Sequence, residues 1–163
     1  MIWTWLMMLA CQGGGDDTGP GYDCAGSGDP TLTIGQGQGS TFVELETGDT
    51  VGLDVAPQGG FGVPIRAQTT GLVADEAVDV LLVTEIDGVE VGSFLNQGTN
   101  LYCQDDQTGL LWGVVVGFDA DVYQTNEDLL ELNGQSVDLV VTAYDTDGDE
   151  AEGRVTVTVE VGG

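Results

Sequence analysis

Between residues 31 and 161 apolar side chains recur at alternate positions in short runs, and each run ends in a break rich in Gly, Asp or Asn. Alternation at period two sends successive side chains to opposite faces of an extended chain, so each run predicts a half-buried strand. The last run is the clearest: Val155, Val157, Val159 and Val161 share one face, with Arg154, Thr156, Thr158 and Glu160 on the other. Val137, Leu139, Val141 and Ala143 line one face of the run before it. By the same count Trp112, Val114, Val116 and Phe118 share a face, with Gly113 and Gly117 behind them, which predicts Trp112 in the core. The predicted strands are 31–34, 41–45, 51–56, 63–69, 78–86, 89–93, 101–103, 110–118, 137–144 and 154–161.

The breaks carry turn chemistry. Asp87-Gly88, between Ile86 and Val89, predicts a two-residue type I′ hairpin, whose central residues both need positive φ. Gly48-Asp49, Asn133-Gly134 and Asp147-Gly148 punctuate the chain in the same way. Only residues 126–132 read as a helical turn, with Asn126 as its N-cap and Glu127 and Asp128 in its first turn. Short strands separated by regular turns, with no sustained internal repeat, predict one all-β domain, an antiparallel β-sandwich over residues 31–163.

The N-terminal end is different in kind. Residues 1–10 are uncharged, mostly apolar, and followed by Cys11. Ten helical residues rise about 15 Å, half a bilayer's hydrocarbon core, so the stretch reads as a signal peptide and not as a span. Met8-Leu9-Ala10-Cys11 resembles the lipobox of bacterial lipoproteins. That resemblance implies cleavage before Cys11, lipidation of its sulfur and acylation of the new amino terminus. Several acyl chains, at about 0.8 kcal/mol per CH₂, would hold a domain firmly. Gln12 after the cysteine implies, by the family's sorting pattern, an address at the outer membrane. Residues 11–30, rich in Gly and Asp, read as a flexible tether. With Cys11 lipidated, Cys24 and Cys103 remain as an even pair, expected to form a disulfide in an exported chain.

Composition narrows the chemistry. The 163 residues hold 28 Asp+Glu, 2 Lys+Arg and no His, a formal net charge of −26. Without His there is no Ser-His-Asp triad, Cys-His pair or His-ligated zinc, and without Lys no Schiff base or P-loop lysine. Two arginines are too few to neutralise phosphates, which excludes nucleic acid as a partner. An anionic membrane surface repels the chain likewise, leaving the lipid as its contact with the membrane. A hydrophobic share of 41% places it among folded chains despite the charge.

Few residues point to a site. Asp145, Asp147 and Asp149 alternate along a turn and supply the hard oxygens that Ca²⁺ takes, although Asp and Gly are equally the residues of a plain hairpin. Asp105-Asp106 and Asp119-Ala120-Asp121 join such a site only if they fold to the same end. Ala56-Pro57-Gln58-Gly59-Gly60 is either a ligand-facing loop or a tight connection. Arg66 and Arg154, the two cations, are expected to face outward and pair with local acids. Tyr102, Tyr123 and Tyr144 sit at strand ends or in loops, as sugar-stacking residues do. With 28 acids, a pair of facing carboxylates carries no information about hydrolysis.

Two further resemblances bear on fold and role. Residues 137–148 followed by 154–159 resemble the closing hairpin of bacterial Ig-like and cadherin-like sandwich domains, which implies an Ig-like fold. Residues 42–51, leading into Pro57-Gln58-Gly59-Gly60 and then Thr70-Gly71-Leu72, resemble a group of uncharacterised bacterial envelope lipoproteins. Gly62 stands where that group commonly has His, so chemistry at such a residue has no counterpart here. The expectation is a lipid-anchored envelope protein, not an enzyme, with a structural or binding sandwich and a protein or glycan partner. The alternative is a Ca²⁺-dependent adhesin or carbohydrate-binding module. The sequence leaves the oligomeric state open.

Overall fold

The computed structural model describes residues 24–39, 41–56 and 59–162. The alternating runs become strands: β1 (Thr31–Gln36), β2 (Val43–Glu44), β3 (Thr50–Gly52), β4 (Asp54–Val55), β5 (Phe61–Thr70) and β6 (Ala77–Ile86). There follow β7 (Val89–Asn100), β8 (Tyr102–Cys103), β9 (Gly109–Gly117), β10 (Ser136–Tyr144) and β11 (Glu150–Glu160), with one short helix, α1 (Asn126–Glu131), between β9 and β10.

Two sheets result. One runs β2-β1-β5-β9-β8, with β4 also on β5; the other runs β3-β11-β10-β6-β7. All neighbouring strands are antiparallel except β3, which lies parallel to β11. The order β1-β5-β9-β8 facing β11-β10-β6 is the A-B-E-D and G-F-C arrangement of an immunoglobulin-type sandwich, with β7 in the place of an added C′ strand. The fold is therefore the expected all-β, Ig-like one.

Its core is what the alternation predicts for the last strands: Val137, Leu139, Val141, Ala143, Val157 and Val159 are fully buried, facing Ile34, Val63, Ile65, Val114 and Val116. The sheets come close together where β7 passes the end of β9. A Cβ on Gly92 would lie 2.2 Å from the carbonyl oxygen of Gly117, so only glycine permits this approach. The buried Thr84 hydroxyl closes the corner, donating to the Gly117 carbonyl at 2.7 Å, with the Gly92 carbonyl at 3.3 Å.

Asp87 and Gly88 both have positive φ, 52° and 74°, as the predicted type I′ hairpin between β6 and β7 requires. The helix cap differs from expectation. Thr125, not Asn126, is the N-cap, because Asp128 then falls at the third helical position and completes a capping box. With Asn126 as cap that position would be Leu129, which cannot reciprocate.

Residues 24–30, assigned by composition to the tether, are fastened to the sandwich. Ala25 forms a β-bridge with Val73, the Cys24 carbonyl accepts from the Ala74 N–H at 2.9 Å, and Cys24 forms a disulfide with Cys103 across 79 residues. Among the described residues no helix is long and apolar enough to cross a membrane. Cys11 and the rest of the signal and tether, with Pro57 and Gln58, lie outside the described residues.

Candidate functional site

The outer face of the β1-β5-β9-β8 sheet carries an aromatic and cationic cluster that the plain alternation hides. Opposite Arg66 on β5, strand β9 places two residues, Trp112 and Gly113, so the register shifts between Ile65 and Ala67. Gly113 has φ +66°, the left-handed conformation of a glycine bulge. The extra residue resets the phase: Leu111 and Val114 both point inward, and Trp112, expected in the core, stands 44% exposed.

Around Trp112 gather Arg66 and Tyr102. The Arg66 guanidinium carbon lies 5.4 Å from the indole centroid, and the Tyr102 ring sits 5.5 Å away, tilted by 42°. A cation over an indole face is worth about 0.5–1 kcal/mol at an exposed site. Arg66 does not pair with an acid. Its Nη1 donates to the carbonyls of Gly39 and Thr41, at 2.6 and 2.9 Å, and it makes no ion pair among the described residues. A groove of about 470 Å³ beside it is lined by Gln36, Gln38, Pro64, Arg66 and Gly113. Arg154 behaves as expected, bridging Glu85 at 2.8 Å and Asp138 at 3.1 Å.

The acidic turn between β10 and β11 is organised around one residue. Asp145, 9% exposed, accepts at Oδ1 from the backbone N–H of Asp147 and Asp149 and at Oδ2 from that of Val73, all within 2.9–3.1 Å. Its carboxylate is thus turned onto the backbone and ties the turn to the chain beside Ala74, the partner of Cys24. Thr146 donates to Glu76 at 2.5 Å, joining the same end of the sandwich. Asp147 and Asp149 are exposed on that turn. Among the described residues no three acids approach closely enough to enclose a metal ion. Asp105-Asp106 follows β8 at this same end, where Asp106 accepts from the Thr108 hydroxyl and N–H, and the hydroxyl bond holds its carboxyl below the ordinary range. Asp119 and Asp121 follow β9 and belong to the opposite end.

The described part of the 56–60 loop closes on itself. Ala56 N–H donates to the Gly60 carbonyl and Gly59 N–H to the Ala56 carbonyl, with Gly59 and Gly60 both at positive φ. Near it, a cleft of about 350 Å³ runs between residues 90–94 and residues 117–120, walled by Glu90, Phe94 and Asp119.

No protein-family model matches the chain. No curated protein matches it either. Among solved structures, the CooA pilin subunit from enterotoxigenic Escherichia coli superposes over 82% of this chain and 99% of that one, at 16% identity and a TM-score of 0.34. A superposition this loose identifies neither a family nor an activity.

Proposed function

We propose that the chain is a lipid-anchored cell-envelope protein, resembling uncharacterised bacterial envelope lipoproteins, whose single sandwich is a non-catalytic binding or structural domain. The observation that carries the reading is the Cys24–Cys103 disulfide at the point where the N-terminal segment meets the sandwich. Disulfides persist in chains that fold outside the reducing cytosol, so the bridge supports an extracytoplasmic address. It also fastens the first described residue to β8, so a pull transmitted along residues 11–23 ends on a cross-linked strand and not on an unpaired chain end. The acids Asp75, Glu76, Asp145, Asp147 and Asp149 surround this end and would hold the sandwich away from an anionic headgroup layer. The Met8-Leu9-Ala10-Cys11 lipobox supplies the anchor, and Gln12 favours the outer membrane. Fractionation tests this: the unaltered chain is expected in the membrane fraction, and the Cys11→Ala form in the soluble one. A Cys11→Ala form that stays with membranes contradicts the reading.

The exposure of Trp112 and Tyr102 favours a second reading, a carbohydrate-binding module. A soluble neutral oligosaccharide that stacks on the indole would change its fluorescence, and an unchanged spectrum at millimolar sugar dismisses that reading. Its Ca²⁺-dependent form requires the melting temperature to rise with Ca²⁺ over chelator.

A further inference from the structure

The four outer strands of the two sheets are unequal. β2 and β8 have two residues each and β3 has three, whereas β7 has twelve. Very short edge strands are one device by which proteins deny a foreign strand a template, and charged residues along the edge are another. β7 uses neither. Residues 91–100 carry no charged side chain, in a chain with 28 acids. Two register shifts against β6, one between Val78 and Val80 and one between Thr84 and Glu85, bracket the strand. Between them Gly92 to Asn96 pair without interruption with Thr84 to Val80, and Phe94 and Leu95 stand 38% and 48% exposed. One side of this segment is bonded to β6; on the other, the Val91 carbonyl already accepts from the Asp119 N–H at 2.8 Å, and past that contact no strand of either sheet pairs with residues 93–96.

We propose that β7 is a docking edge that accepts, as an added antiparallel strand, an extended segment of a basic partner protein. Main-chain hydrogen bonds would give such a strand its affinity, and alternate side chains its specificity. The sign of the partner follows from charge. The molecule carries −26, and the cleft that opens beside Glu90, Val91, Gly92, Ser93 and Phe94 is walled by the carboxylates of Glu90 and Asp119. Neither of these acids is in an ion pair among the described residues, so a Lys or Arg side chain reaching from the added strand past Phe94 meets two unneutralised carboxylates. A second copy of this chain brings the same excess of negative charge to the edge and is disfavoured by it. The inference rests on the proposed reading of the sandwich as a binding domain, but its outcome is independent of the lipid anchor.

The test uses the full chain and a nine-residue peptide that alternates valine and threonine between terminal lysines, with a second peptide carrying glutamates in their place. Amide hydrogen exchange is followed residue by residue. The lysine peptide is expected to slow exchange at amides within residues 93–96 and to bind about tenfold more tightly than the glutamate peptide at low salt, a preference that half-molar salt erases. Leu95→Lys, at an exposed position, is expected to abolish the protection while leaving the exchange of β10 unchanged. The proposal is overturned if the amides of β7 are unaffected by millimolar lysine peptide, or if both peptides bind equally at low salt. It is also overturned if the chain alone becomes dimeric through β7 at low salt, since the occupant is then a second copy. Loss of anchoring in the fractionation experiment with an intact peptide response would sink the envelope reading alone.

Discussion

Asp145 holds three backbone N–H groups drawn from two separate parts of the chain. Asp145→Ala is therefore expected to lower stability by about 3 kcal/mol, the scale of losing bonds to a charged acceptor at a nearly buried position. Asp145→Asn, which keeps one acceptor oxygen, is expected to cost about half of that. Urea denaturation of the two variants measures the difference; equal stability of Asp145→Ala and the unaltered chain would show that the turn does not depend on this residue. The sequence makes Asp145, Asp147 and Asp149 look alike, since all three are turn acids at alternate positions. What separates them is the N–H of Val73, which is 72 residues away and has no local signal. Arg66 is a similar case. Acids outnumber cations so heavily that a salt bridge is the natural expectation, yet its Nη1 is taken up by the Gly39 and Thr41 carbonyls while the guanidinium lies over Trp112.

At the scale of strands, period two reads correctly until the register breaks. β11 alternates without interruption, and β10 buries the face the sequence marks, with Val140 and Thr142 on its other face buried as well. β9 breaks at Gly113, where one extra residue lets Leu111 and Val114 share the inner face. Deleting Gly113 leaves the order Leu111, Trp112, Val114, which alternates strictly in, out, in. The deletion is thus expected to preserve the fold and keep Trp112 outside, because a Cβ at Gly113 meets nothing and the residue serves only the bulge. Trp3 and Trp5 precede Cys11, so in a chain cut there the fluorescence reports Trp112 alone. Emission that acrylamide quenches readily in both forms is the expected result, and a shielded indole in either would contradict this account of the bulge. β7 was legible only over its first residues. Beyond Ser93 it is written in Asn, Gln, Gly and Thr, with one of its two bulges and exposed apolar groups, and an edge strand paired on one side needs no buried face to alternate.

For the whole molecule, the net charge of −26 acts against compactness as much as it favours solubility. Only Arg154 forms ion pairs among the described residues, so most of the repulsion is relieved by solvent ions and little by partners. The melting temperature is accordingly expected to rise as sodium chloride increases from about 0.01 M to about 0.5 M, where the screening length falls from roughly 30 Å to a few ångströms. A flat or falling curve would mean that the acids are spaced widely enough not to matter. The disulfide works against the same repulsion by holding the 79-residue span closed, a contribution of about 4.5 kcal/mol on the chain-entropy model. The β-sandwich was legible from turns and alternation and its Ig-like form from the resemblance of the closing hairpin, while the address rests on ten mostly apolar residues and a cysteine that precede the described part. The most direct measurement of the central claim is therefore the mass of the N-terminal peptide from the protein made in a lipoprotein-processing bacterium. The account predicts a peptide beginning at Cys11 and carrying three acyl chains; a peptide that begins elsewhere, or at an unmodified Cys11, contradicts it.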